Sequence, residues 1–184
     1  MKLRDILMEQ QERGTYAGVK FSPDTVARIK AYIKDNNIPN PLRSEKFHTT
    51  LVYSRKYLPE YEPAGKYPEP MIGTPVRLDV WKTKPTDGSE PSNCLVMEYD
   101  CPALTARHKE LMAEHGTTHD YPEYRTHVSL SYSIGDLDYK TLPDIVESIG
   151  TIEIVEEYGE DLDLNWAVNK GTANTRSGAD RRAA

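Results

Sequence analysis

The sequence predicts an α+β fold made of antiparallel strands in two related halves, and three observations carry that reading. Strand-like runs are bounded by turn residues, apolar residues recur at helical spacing between them, and both halves follow the same order. That order is strand, helix, then a strand bearing His-x-Thr or His-x-Ser, although no sequence repeat survives between the halves. The 184 residues suit one compact domain, expected over 1–168, with a polar tail over 169–184.

The opening MKLRDILMEQQ scatters charges among Leu3, Ile6 and Leu7 and has no small-residue cleavage site, so a short helix is expected there rather than a secretory signal. Gly14 to Phe21 reads as a strand. Ser22 then offers an N-cap and Pro23 a first helical residue, with Val26, Ile29 and Ile33 at helical spacing as far as Asn36-Asn37. The run IPNP breaks the chain before a strand from Phe47 to Ser54. Residues 55–70, with Pro59, Pro63, Pro68 and Pro70, read as a long ordered loop. Met71–Lys84 and Asn93–Asp100 are expected to be strands joined by the turn-rich PTDGSEPS. Pro102 opens a helix through Leu104, Leu111 and Met112 that Gly116 ends. A strand from Arg125 to Ser133, a short helix from Leu142 to Ser148 and a strand from Thr151 to Tyr158 complete the order. The closing NKGTANTRSGADRRAA is small, polar and basic, the composition of a mobile tail.

Composition excludes several classes. No run approaches the roughly 18 apolar residues that a membrane helix needs. Two cysteines, Cys94 and Cys101, make neither a disulfide scaffold nor a CxxC zinc ribbon, and point to the cytosol. A net charge of −6 argues against holding long nucleic acid through many phosphates, so phosphate chemistry here should concern a small ligand or a short terminus. Twelve tyrosines against two phenylalanines supply rings that both stack and hydrogen-bond.

The strongest chemical signal is the pair FHTTLVYS at 47–54 and THVSLSYS at 126–133. In a strand, residues two apart share a face, so His48 projects with Thr50 and His127 with Ser129. Phe47, Thr49, Leu51 and Tyr53, and likewise Val128, Leu130 and Tyr132, are expected on the opposite, core side. Two such pairs facing each other suit a phosphodiester. One imidazole takes a proton from the attacking oxygen, the other gives one to the leaving oxygen, and the hydroxyls bond the non-bridging oxygens. No metal or cofactor is required by that scheme. His-x-Ser/Thr alone is a common pattern; its recurrence on strand-like segments 79 residues apart, one per half, gives it weight. Two half-buried strand histidines with hydrogen-bonded hydroxyls are the alternative.

FHTTLVYS paired with THVSLSYS resembles the two signatures of the 2H phosphoesterase superfamily, a bilobal α+β fold with one motif per lobe. The opening MKLRDILME, GTYAGVKF and the IPNPL before the first motif resemble the phage anti-CBASS phosphodiesterases, over residues 1 to about 168. The superfamily has Thr in both motifs more often than not; Ser129 here keeps the hydroxyl. The resemblance implies metal-independent opening of 3′–5′ bonds in cyclic di- and trinucleotides such as cGAMP and cyclic triadenylate. Attack by the neighbouring 2′-hydroxyl would give a 2′,3′-cyclic phosphate, in the cytoplasm of a bacterial host.

Bases of such a ligand need flat rings, each worth about 1–3 kcal/mol. The resemblance makes Tyr16 a stacking candidate, with a half-buried strand tyrosine as the alternative. Trp166, after the acidic run EEYGEDLDLNW, reads equally as an exposed lid ring or a core tryptophan, and Trp81 reads first as core while remaining a candidate. Glu160 is the chosen base-edge acceptor near that lid, among six acids from Glu153 to Asp163 that should mostly be solvated. Arg125 adds charge beside the second motif or faces solvent as a strand-end arginine. His108, His115 and His119 fit no strong metal-ligand spacing and are expected at the surface or as caps. Two other functions stay open: an RNA-end enzyme acting on 2′,3′-cyclic phosphates or 2′–5′ linkages, and a binding protein that sequesters a nucleotide without cleaving it. Nothing in the sequence gives the oligomeric state, and no membrane partner is expected.

Overall fold

The computed structural model describes residues 13–83, 88–121 and 123–164. The expected N-terminal helix, Trp166 and the 169–184 tail lie outside them. The fold is mixed α+β, with strands β1 (Arg13–Phe21), β2 (Thr49–Ser54), β3 (Gly65–Lys82), β4 (Asn93–Asp100), β5 (His127–Ser131) and β6 (Ile152–Asp163). Helices α1 (Pro23–Asp35), α2 (Pro102–His115) and α3 (Ile145–Ile149) flank them. All pairings are antiparallel, in the order β2-β1-β6-β3-β4-β5. The two motif strands are therefore the two edges of the sheet.

Local chemistry sets the helix ends. The Ser22 hydroxyl accepts the Thr25 amide at 3.2 Å and Pro23 occupies the first helical position, while Ile29 and Ile33 turn inward. Gly116 ends α2 at φ 57°, left-handed backbone that costs glycine little. The IPNP break is made by Asn37 and Asn40, both at positive φ.

Strand β3 departs from the expected loop over 55–70: it already begins at Gly65. Its ladder with β6 skips from Lys66 to Met71, so Pro68 and Pro70 sit in an irregular stretch where no ladder amide is needed. Up to Gly73 the strand pairs with β6, and from Thr74 it pairs with β4. One strand thus spans both halves. A Cβ on Gly73 would lie 2.8 Å from the Tyr99 ring, so glycine there lets β4 close against the junction.

The core joins Val19, Ile29, Leu51, Leu95, Leu130 and Ile154 from both halves. One carboxylate lies inside it. Glu157 is 1% exposed and accepts from Arg107 at 2.9 and 3.0 Å, from the Tyr61 and Tyr67 hydroxyls, and from the Ala64 amide. Burial raises its pKa, but these bonds overcome that and hold it below the ordinary carboxylate value. It is the buried exception in an acidic run expected to be mostly solvated, and it pins residues 61–64 to β6. Cys94 and Cys101 are both buried free thiols. No helix among the described residues is long and apolar enough to cross a membrane.

Candidate active site

Both motif strands carry a β-bulge at the same offset. Ala17 pairs with Val52 and Gly18 with Thr50, which leaves Leu51 over; Leu95 pairs with Ser131 and Val96 with Ser129, which leaves Leu130 over. The extra residue follows the motif hydroxyl in each case and re-aims what comes next. Simple alternation therefore fails for Tyr53, expected in the core. It stands opposite Tyr16 in the ladder, half-buried, with the two rings edge-on at 6.5 Å. Tyr132 is likewise half-buried beyond the end of β5.

The histidines are held alike. His48 Nδ1 donates to the Lys46 carbonyl at 2.8 Å, and His127 Nδ1 to the Arg125 carbonyl at 2.9 Å, each two residues back. A carbonyl only accepts, so both rings carry their proton on Nδ1 and their tautomer is fixed. Each motif hydroxyl meets a side chain of the neighbouring inner strand. Tyr16 Oη lies 3.1 Å from Thr50 Oγ1, and Cys94 Sγ donates to Ser129 Oγ at 3.7 Å. Burial holds the Tyr16 phenol well above its ordinary pKa and pushes the Cys94 thiol up to about 11, so both keep their protons.

Surroundings differ between the two. His48 is half-buried, with the Tyr16 ring edge-on at 6.2 Å. His127 is 7% exposed and lies under Trp81, ring centroids 4.3 Å apart. Trp81, read first as core, is half-buried at the site: its Nε1 donates to Asp79 at 3.0 Å and the Arg125 guanidinium lies over its ring at 5.0 Å. Arg125 also pairs with Glu98, whose other oxygen meets Arg77 at 2.6 Å, and with Asp79 at 3.7 Å. Glu98 is the ladder partner of His127, a position that the sequence reading passed over. Glu160 belongs to β6, opposite Tyr16, and not to a lid; it is exposed. Tyr158, also passed over, lies 6.0 Å from Tyr16, has Lys20 over its ring, and occupies the space that a Cβ on Gly18 would take. The structure thus gathers His48, Thr50 and Tyr16 around one motif and His127, Ser129, Trp81 and Arg125 around the other, while Trp166 lies outside the described residues.

His108 corrects the expectation of a surface histidine. It is 6% exposed, its Nδ1 donates to the Leu51 carbonyl at 2.7 Å, and its ring stacks on Tyr124 at 3.8 Å and 4°. Tyr124 Oη in turn donates to the Thr50 carbonyl at 2.9 Å. Burial, followed by the charge of His119, lowers the His108 pKa, although its bond to Leu51 acts the other way. Its helical spacing with Leu104 and Leu111 was the available signal. Among the described residues no group of three His, Cys, Asp or Glu is arranged to hold a metal ion.

The model of the family described as Anti-CBASS protein Acb1 matches residues 13–169. Proteins of that description from Vibrio phage KVP40, Acinetobacter phage Ac42 and Enterobacteria phage T4 are 36%, 35% and 34% identical to this chain. These matches cover 92%, 90% and 84% of this chain and 99%, 99% and 91% of the relatives. Among solved structures, TT0787 of Thermus thermophilus aligns over 79% of this chain and 83% of its own at 13% identity and a TM-score of 0.38, too distant to bear on the fold. With its family model and its phage relatives matched over most of its length, the chain belongs to the Anti-CBASS protein Acb1 family.

Proposed function

We propose that this chain is a phosphodiesterase of the 2H type that opens 3′–5′ bonds of cyclic di- and trinucleotides, and that it lets a phage evade CBASS signalling in the cytoplasm of its host. The observation that carries the reading is the matched pair of histidines, each with Nδ1 bonded to the carbonyl two residues back. With Nδ1 engaged, proton exchange falls to Nε2. One imidazole takes the proton of the ribose 2′-hydroxyl as its oxygen attacks phosphorus. The other gives a proton to the departing 5′ oxygen. The ring opens to a linear product ending in a 2′,3′-cyclic phosphate, which is released or opened by water. Thr50 and Ser129 donate to the non-bridging oxygens. Protonation of the leaving oxygen meets its charge directly, so the scheme calls on no metal and no cofactor.

Residues 1–168 act as one bilobal unit in this reading, supported by the equal bulges on the two edge strands. Trp81 and Trp166 are the rings that would stack on bases, with Glu160 on a base edge and Arg125 near the phosphate. Tyr16, also a stacking candidate, is 3% exposed and would have to be uncovered for a base to reach its face. Family membership and the net charge of −6 favour a small cyclic ligand over long RNA.

The test is incubation with 3′,3′-cGAMP and cyclic triadenylate in EDTA, beside His48→Ala and His127→Ala, with products read by mass. Cleavage by the parent and silence from both variants is expected. Intact nucleotide that co-purifies with the chain would favour sequestration, and activity confined to linear RNA ends would favour the RNA-end enzyme.

A further inference from the structure

Paired acid–base catalysis needs its two imidazoles at a set separation, because attacking and leaving oxygens lie on opposite sides of phosphorus. The sheet does not supply that separation. Strands β2 and β5 stand at opposite ends of the strand order, and no ladder joins them among the described residues. Tyr124 reaches the Thr50 carbonyl and Leu42 reaches the Leu130 carbonyl, but the bond that ends on a candidate catalytic histidine itself comes from the middle residue of the first motif. Thr49 turns away from His48 and Thr50, is 1% exposed, and donates from Oγ1 to the backbone carbonyl of His127 at 2.7 Å. The Tyr99 hydroxyl donates to that same Oγ1 at 2.7 Å, which commits the threonine proton to His127. Tyr99 is itself fixed beside the second motif, its amide bonded to the Thr126 carbonyl at 3.1 Å and its carbonyl to the Thr126 hydroxyl.

We infer that Thr49 and Tyr99 form a spacer that sets the distance between His48 and His127, and that both are positioning residues for the reaction proposed above, on which this inference rests. The relay runs from a residue adjoining one histidine to the carbonyl of the other. It needs a short hydroxyl at 49 and a phenol at 99. Burial keeps the Tyr99 phenol protonated, so the donor is present throughout the working range. A spacer of this kind acts on turnover, since small errors of placement cost rate steeply, about 10²-fold for 1 Å. Substrate affinity, read by rings elsewhere, should not follow.

The experiment is steady-state cleavage of 3′,3′-cGAMP in EDTA by the full chain and by Thr49→Val, Thr49→Ser and Tyr99→Phe, with melting temperatures alongside. Thr49→Val, which keeps the shape and loses the hydroxyl, should lose about tenfold or more in kcat with KM nearly unchanged. Thr49→Ser restores the hydroxyl and should restore kcat, and Tyr99→Phe should fall between the two. Parental kcat in Thr49→Val would overturn the spacer, as would an equal loss in Thr49→Ser, which would assign the effect to the methyl group. Should Thr49→Val fail to fold, Tyr99→Phe decides: parental kcat there overturns the spacer. A parent that turns over no cyclic nucleotide would instead remove the phosphodiesterase reading, and the spacer with it.

Discussion

The two motif strands are alike at their His-x-Thr and His-x-Ser groups and unlike in how those groups are supported. Each has its histidine tautomer fixed by the carbonyl two residues back and an extra leucine after the motif hydroxyl. Yet the carbonyl of that leucine is satisfied differently. The Leu51 carbonyl takes the imidazole of His108, and the Leu130 carbonyl takes the backbone amide of Leu42 at 2.9 Å. The hydroxyl partners differ as well, a phenol for Thr50 and a thiol for Ser129. A bulge strips a strand edge of ladder partners, and any nearby donor can satisfy it. Under the proposed chemistry the two imidazoles would have far less latitude, because proton transfer needs an imidazole at a fixed distance.

The comparison can be broken most severely at the histidines. If the two act as one unit, His48→Ala and His127→Ala should each cost about 10²–10⁴-fold in kcat, and the double variant should be no worse than the poorer single one. Additive losses in single-turnover assays would mean two independent sites. The supports come next. His108→Phe and Tyr124→Phe each leave a carbonyl of the first bulge without its donor and should lower unfolding free energy by about 1–3 kcal/mol in urea titrations. On the second strand the cap is a backbone amide, so only a change such as Leu42→Pro, which removes that N–H, should match them. Smaller effects sharpen the contrast between hydroxyl partners. Tyr16→Phe should lower kcat about fivefold to tenfold and Cys94→Ala about twofold to threefold, since a thiol is the weaker donor. Equal losses would erase that difference.

The smallest effect is in pH. His108 has its native pKa lowered by burial, as does His119 beside it, so protonation favours the unfolded chain. Their contribution is fully present above the ordinary histidine value of about 6.5 and is lost as pH falls through the lowered native values. Melting temperature should therefore drop on the acid side in the parent and drop less in His108→Phe, though that variant starts lower. An unchanged acid slope would remove His108 from the account.

Much of this was legible in residue types. Ser22-Pro23 and Gly116 mark helix ends because they solve a local backbone problem, and the His-x-Thr and His-x-Ser pairs stand out because strand alternation aims both members at one face. The bulges were not legible: Leu51 and Leu130 carry no glycine or proline to mark them, and alternation read straight through them misplaced Tyr53. The start of β3 was hidden because Pro68 and Pro70 look like loop residues until the ladder is seen to skip them. Thr49 was placed on the core side, His108 was expected at the surface or as a cap, and Tyr99 was not singled out, but the bonds all three make were missed for a common reason. Their partners lie 50 or more residues away, and local pattern carries no trace of such bonds.

The most direct test of the paired-histidine account is the dependence of kcat/KM on pH for cyclic dinucleotide cleavage in EDTA. One imidazole must start neutral and the other protonated, so the account predicts a bell with two limbs, an optimum between them, and no change on adding divalent metal. A profile that rises to a plateau with a single limb, or activity that appears only when metal is restored, would contradict it.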